Sequence, residues 1–142
     1  MTVEELIARG EIRATLAAYN SAGDQNDAEG YAGVFTADGI LESAGTQIKG
    51  REAIRHWKAE RAKSPPAKFV RHNLTTCLIE VTGSETATAR TYFQVLTEVG
   101  PDHAGYYADD FRKEDGRWLI AHRKVRLDWF APDSRFGRLN QS

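Results

Sequence analysis

Residues 104–129 read AGYYADDFRKEDGRWLIAHRKVRLDW, and this stretch decides the fold class. Its two halves flank Asp115-Gly116, a dipeptide that readily supplies the positive-φ backbone of a tight hairpin. In the first half Tyr107, Asp109 and Phe111 alternate on one face; in the second Leu119, Ala121, Arg123, Val125, Leu127 and Trp129 do the same. That period of two predicts antiparallel strands near 104–114 and 117–129. Working backward, two further β runs near 68–82 and 85–98 are set off by Thr82-Gly83-Ser84 and Gly100-Pro101-Asp102, both turn-forming sequences. Such close spacing implies hairpins.

Upstream of the sheet the period changes to that of a helix. Thr2-Val3-Glu4-Glu5 is a capping-box pattern, in which the threonine and the glutamate three places on satisfy each other's free backbone amides. Leu6, Ile7, Ile12, Leu16 and Tyr19 give the apolar stripe, and the polar run Ser21 to Asp27 ends it. Asp27 can cap a second, shorter helix carrying Tyr31, Val34 and Phe35, before Ala37-Asp38-Gly39 turns the chain into a short strand around Ile40 to Ser43. A third helix is expected over residues 51–62, with Ile54 and Trp57 inward and Pro65-Pro66 preventing its continuation. The order predicts an α+β fold in which helices cover one face of a curved, mainly antiparallel sheet. It reads as one domain over 1–142, with a core at about 3–130 and a tail at 131–142.

Composition excludes several function classes. The 142 residues carry 19 basic and 20 acidic side chains, so no net field exists to hold a polyanion. The densest basic cluster, Arg51, Arg55, Lys58, Arg61 and Lys63, is interleaved with Glu52 and Glu60 and reads as a solvated helix face. Nucleic acid is not an expected partner. Cys77 is the sole cysteine, and no apolar run reaches the length of a membrane span or a signal-peptide core, so a cytoplasmic location without membrane association is expected. P-loop, dinucleotide-binding, nucleophile-elbow and zinc-protease motifs are missing from the sequence, and His56, His72, His103 and His122 lack the paired spacing of a zinc site. Neither a metal nor a cofactor is expected.

Three residues stand out chemically. Arg123 lies on an apolar strand face, and a guanidinium that cannot lose its charge needs an acidic partner or an anionic ligand there. Asp109, on the matching face of the preceding strand, can be that partner; the pair is open to a structural or a ligand-facing reading. His72 begins the first long strand and shares a face with Leu74, Thr76 and Leu78, which suits a hydrogen-bonded core histidine or a general base. Asp24, between two helices, can be a turn residue or can orient that imidazole, fixing its tautomer and leaving the second ring nitrogen free to accept a proton. Cys77 has the opposite strand parity to His72 and is assigned to packing.

The element order and four local strings resemble the SnoaL-like branch of the nuclear-transport-factor-two-like superfamily. The strings are Tyr31 to Gly39 (YAGVFTADG), Gly50 to Ile54 (GREAI), Gly105 to Asp109 (GYYAD) and Asp115 to Arg123 (DGRWLIAHR). The resemblance implies a cone-shaped α+β barrel, its sheet wrapped around the N-terminal helices, with the pocket inside the cone. Members include polyketide cyclases, dehydratases, a dehydrochlorinase, isomerases and non-catalytic dioxygenase subunits, so fold alone does not give function. In the branch resembling scytalone dehydratase and hexachlorocyclohexane dehydrochlorinase an aspartate–histidine dyad removes a proton. Asp24 and His72 look like that pair, and Arg123 matches a pocket-lining position. Relatives of this kind often carry asparagine where Thr76 stands and lysine where Tyr19 stands, so dehydrohalogenation does not carry over.

These readings converge on a cofactor-independent lyase or isomerase, dehydratase- or cyclase-like, acting on a small, largely apolar or aromatic cyclic molecule. His72 would be the base, Asp24 its orienting partner and Arg123 the stabiliser of developing negative charge. Tyr19, Tyr107, Asp109 and Trp129 would contact the substrate. The alternative is a non-catalytic ligand-binding or accessory subunit. A homodimer or higher homo-oligomer through the outer sheet face, with Trp118 and Ile120 at the contact, is also expected.

Overall fold

The expected capping box forms at the first turn. Glu5 N–H donates to Thr2 Oγ1 at 3.1 Å and Thr2 N–H to Glu5 Oε2 at 3.4 Å, starting helix α1 (Val3–Asp24) in a computed structural model that describes residues 1–137. Its buried stripe is Ala8, Ile12, Leu16, Tyr19 and Asn20. Leu6 and Ile7 are instead exposed, because the position one helical turn before Ile12 is Ala8. Asp27 caps α2 (Ala28–Gly33) by accepting from Gly30 N–H at 3.0 Å. The chain continues as β1 (Phe35–Ser43), β2 (Thr46–Lys49), α3 (Arg51–Ala62), β3 (Arg71–Val81), β4 (Thr86–Thr97), β5 (Gly100–Glu114) and β6 (Arg117–Phe130). Of the tail expected at 131–142, residues 138–142 lie outside the described residues.

One six-stranded sheet runs in the order β2-β1-β6-β5-β4-β3, with β1 parallel to β6 and every other pair antiparallel. The sheet curls without closing, and α1 packs against its concave side through β3 and β6. The fold is α+β as expected. Ile12, Phe35, Ile54 and Ile120 are each fully buried at the centre of the core, a burial worth roughly 1.5–3 kcal/mol per side chain.

The curl has a local cause. Register shifts interrupt every strand pair except β1 with β2; each adds one residue to one strand, or three to β1 against β6, bending it and raising its twist. Gly105 sits beside one of them. A Cβ at that position would come within 2.0 Å of the Arg126 carbonyl oxygen, so only glycine lets β5 approach β6 there.

These shifts also correct several assignments made by strict alternation. Between Leu74 and Cys77 the parity of β3 changes, so Cys77 and Ile79 share the face of His72, whereas Leu78 is exposed. In β6 one shift aligns Ile120, not Leu119 or Ala121, with Arg123, opposite Phe111 and Asp109. Trp118 and Ile120 are consequently buried in the core and are not available as an outer contact surface. A second shift near Asp128 pairs Gly105 with Leu127 but Ala104 with Trp129, turning Trp129 outward and leaving it 48% exposed. Gly100-Pro101-Asp102, expected as a turn, belongs to β5; the chain reverses at Glu98-Val99, followed by Gly100 at φ +91°. Ala37-Asp38-Gly39 likewise lies inside β1, as an irregularity between Phe35 and Ile40.

Candidate functional site

The concave face holds two chambers that share Tyr19, Tyr31, Trp57, Arg61, His72 and Phe136 as wall residues. The outer one has a volume of about 610 Å³ and reaches Asp24, Asn20 and Lys58; the inner, about 120 Å³, ends on Phe93, His103, Tyr107, Val125 and Leu127. The inner wall is mostly aromatic or aliphatic, which suits a small ring.

At the mouth between them Asp24 meets His72. The carboxylate accepts from the His72 backbone N–H through Oδ2 at 2.9 Å and contacts ring Nδ1 through Oδ1 at 2.6 Å. Asp24 ends α1, where the partial negative charge of a helix C-terminus disfavours a carboxylate. The two bonds to His72 compensate that placement. They also put the proton on Nδ1 and leave Nε2 as an acceptor. The structure thus brings together residues 48 apart in sequence, a juxtaposition no spacing rule could give.

Arg123 is not an uncompensated cation. Its Nε and Nη2 donate to the two oxygens of Asp109, each at 2.8 Å, with both residues buried. The guanidinium is sandwiched between the rings of Tyr107 (3.8 Å) and Tyr19 (4.2 Å), a cation–π arrangement on both faces. Burial pushes the Asp109 carboxyl up against the pull of Arg123, and the bidentate geometry marks the pair as ionised. Neither partner is among the residues lining the two chambers; Tyr19 and Tyr107 stand between them and the cavity. Of the residues expected to contact substrate, Tyr19 and Tyr107 line it, Asp109 lies behind them and Trp129 faces outward.

The tyrosines form a hydrogen-bonded set. Tyr19 and Tyr31 hydroxyls lie 2.6 Å apart, and Tyr107 Oη donates to Asn20 Oδ1 at 3.1 Å. Burial pushes all three phenols above their ordinary range, so they remain neutral donors. Asn20 Nδ2 is buried without a partner among the described residues.

Two wall residues escaped sequence reasoning. Asn20 precedes Asp24 by one helical turn and so shares its face, a signal that was present. His103 has the same strand parity as Tyr107 and Asp109 but precedes the run expected as strand. Its Nδ1 lies 2.6 Å from Asp102 Oδ1, and its ring centroid 6.5 Å from that of His72. Among the described residues no group of three His, Cys, Asp or Glu side chains could hold a metal ion, and no helix is long and apolar enough to cross a membrane.

A model of the SnoaL-like domain matches residues 4–124. The chain belongs to this family. Among solved SnoaL-like folds, Rv3472 of Mycobacterium tuberculosis, a protein of unknown function, is 36% identical over 92% of this chain and 77% of its own, with a TM-score of 0.79. A Novosphingobium aromaticivorans protein provisionally described as a scytalone dehydratase shares 21% identity over 92% of this chain and 91% of its own (TM-score 0.82). Hexachlorocyclohexane dehydrochlorinase LinA-type3 of Novosphingobium barchaimii shares 18% over 92% of each chain (TM-score 0.80). These last two are likenesses of fold. No curated protein matches the chain.

Proposed function

We propose that the chain is a cofactor-independent lyase or isomerase that removes a proton from a carbon of a small, largely apolar cyclic substrate. The observation that carries this is the double attachment of Asp24 to His72, which fixes the imidazole with its Nε2 as the acceptor at a cavity wall. An imidazole in that state is a competent general base, worth about 10²–10⁴-fold in rate. As the proton leaves, charge develops on the conjugated oxygen of the substrate. In this scheme the donors for it are the one hydroxyl hydrogen that the Tyr19–Tyr31 pair does not share and the unpartnered amide of Asn20, while Tyr107, whose hydrogen goes to Asn20 Oδ1, holds that amide in place. Arg123 acts through Tyr19 and Tyr107, whose rings it contacts, so it is a positioning residue in this scheme rather than one that touches substrate.

The test uses a simple cyclic carbon acid. 2-Tetralone in D2O should exchange its activated C–H protons faster with the wild-type protein than with an equal concentration of free imidazole, read by proton NMR. His72→Ala should bring exchange to the background rate while circular dichroism shows an intact fold. Stoichiometric binding with no acceleration would favour the binding-module alternative.

A further inference from the structure

The proposal above uses one aspartate–histidine pair, but the cavity has two. Asp102 is fully buried at the start of β5, next to a register shift that places it and His103 in consecutive buried positions. Adjacent residues of a regular strand point to opposite faces; the extra residue lets the Asp102 carboxylate reach the neighbouring ring. Its oxygens take bonds from Thr97 Oγ1 (3.0 Å), Ser134 Oγ (2.6 Å) and Arg135 N–H (2.8 Å) as well as from His103. Four donors fill a carboxylate's acceptor sites and fix it as an anion. His103 Nδ1 therefore carries the proton, and Nε2 is the ring's remaining polar atom, a lone pair on a residue that lines the inner chamber.

A lone pair cannot donate. The chamber's polar wall residues, Tyr19, Tyr31, Ser43, Arg61, His72 and Tyr107, make no hydrogen bond to it among the described residues, so it is satisfied by a ligand that brings its own hydrogen. We propose that His103 is a specificity-determining residue that accepts a hydrogen bond from a ring hydroxyl of the substrate, so that the ligand class is a cyclic enol, phenol or alcohol. This rests on the reading of the cavity as the substrate site, but it concerns binding and not turnover. Burial keeps the ring neutral, against the influence of Asp102. The groups facing it are Asp102 on its own strand, His72 across the chamber and the rings of Phe93, Phe130 and Phe136.

The experiment compares 2-naphthol with 2-methoxynaphthalene, which has the same ring and no hydroxyl hydrogen, by titration calorimetry at pH 7.5. Wild-type protein should prefer 2-naphthol about tenfold, the effect of one hydrogen bond that the ether cannot make. His103→Phe, which keeps an aromatic ring against Phe136, should bring the ratio close to one, and Trp129→Phe, on the outer face, should leave the preference in place. A purely structural His103 would change both affinities together and not their ratio. Equal binding by wild type, a preference that survives in His103→Phe, or its loss in Trp129→Phe would each overturn the proposal. Should His103→Phe fold poorly, the ¹⁵N shift of His103 Nε2 in the wild type is the second measurement. A shift with 2-naphthol and none with the ether supports the assignment, and identical responses contradict it. Because no proton transfer is read, failure here leaves the role of His72 standing, and failure of 2-tetralone exchange leaves this result standing.

Discussion

Asp24 holds His72 with both carboxylate oxygens, one on ring Nδ1 at 2.6 Å and one on the backbone amide at 2.9 Å. The first bond sets the tautomer and the second ties the start of β3 to the end of α1. Asp24→Asn separates the two effects. The asparagine oxygen can still accept from the backbone N–H, while its amide donates to Nδ1 and drives the ring proton onto Nε2. Proton exchange should fall by at least about a hundredfold, with thermal stability nearly unchanged. Asp24→Ala should lose both.

The Arg123–Asp109 pair is predicted to matter first for stability. Removing one partner leaves a buried charge, so Arg123→Met or Asp109→Leu should each destabilise the fold by about 3–5 kcal/mol in urea titrations. The double variant should recover much of that loss. Full additivity of the two single effects would mean that the residues do not act as a pair.

His103 gives the fold a pH dependence of definite sign. Burial, partly opposed by Asp102, holds its pKa below the ordinary value of 6.5. The unfolded chain therefore binds the proton more readily than the native one, and stability is full above pH 6.5 and declines as pH falls toward the folded value. The slope of unfolding free energy between pH 7 and pH 5 should be shallower in His103→Phe than in wild type. An unchanged slope would place the ring in a more solvated state.

Trp57 and Trp129 are predicted to behave differently despite being the same residue type. Trp57 lines both chambers, whereas Trp129 faces outward. Trp57→Ala should weaken binding of 2-methoxynaphthalene, measured by calorimetry, and Trp129→Ala should leave it within about twofold.

How far the sequence could be read follows from where alternation holds. The Asp115-Gly116 hairpin, the capping box at Thr2 and the α+β order were all legible, because each is set by neighbours in the chain. Tyr107 and Asp109 were assigned correctly to one face, since β5 is regular there. Strict alternation misplaces Trp129, Ile120, Thr76 and Leu78 because a register shift falls at each or between it and the residue its parity is counted from, and a shift of one residue inverts the side chains beyond it. β2 was missed because Thr46-Gln47-Ile48-Lys49 offers one apolar residue at a sheet edge. Arg123 was found by parity that counted Leu119 and Ala121 as its neighbours; its true companion is Ile120. Pairing of Asp24 with His72 came from family resemblance, since long-range contact leaves no local pattern. His103 keeps the parity of Tyr107 and Asp109 but falls one residue before the run whose alternation marks the strand.

The central claim, that His72 removes a carbon-bound proton, is tested most directly by chemical rescue. His72→Ala leaves space where the imidazole stood, and added imidazole should restore 2-tetralone exchange in D2O in proportion to its concentration. Substituted imidazoles that fit should follow in order of basicity. Exchange that persists in His72→Ala without imidazole would contradict the account, as would failure of imidazole to restore it in a variant that still binds 2-tetralone.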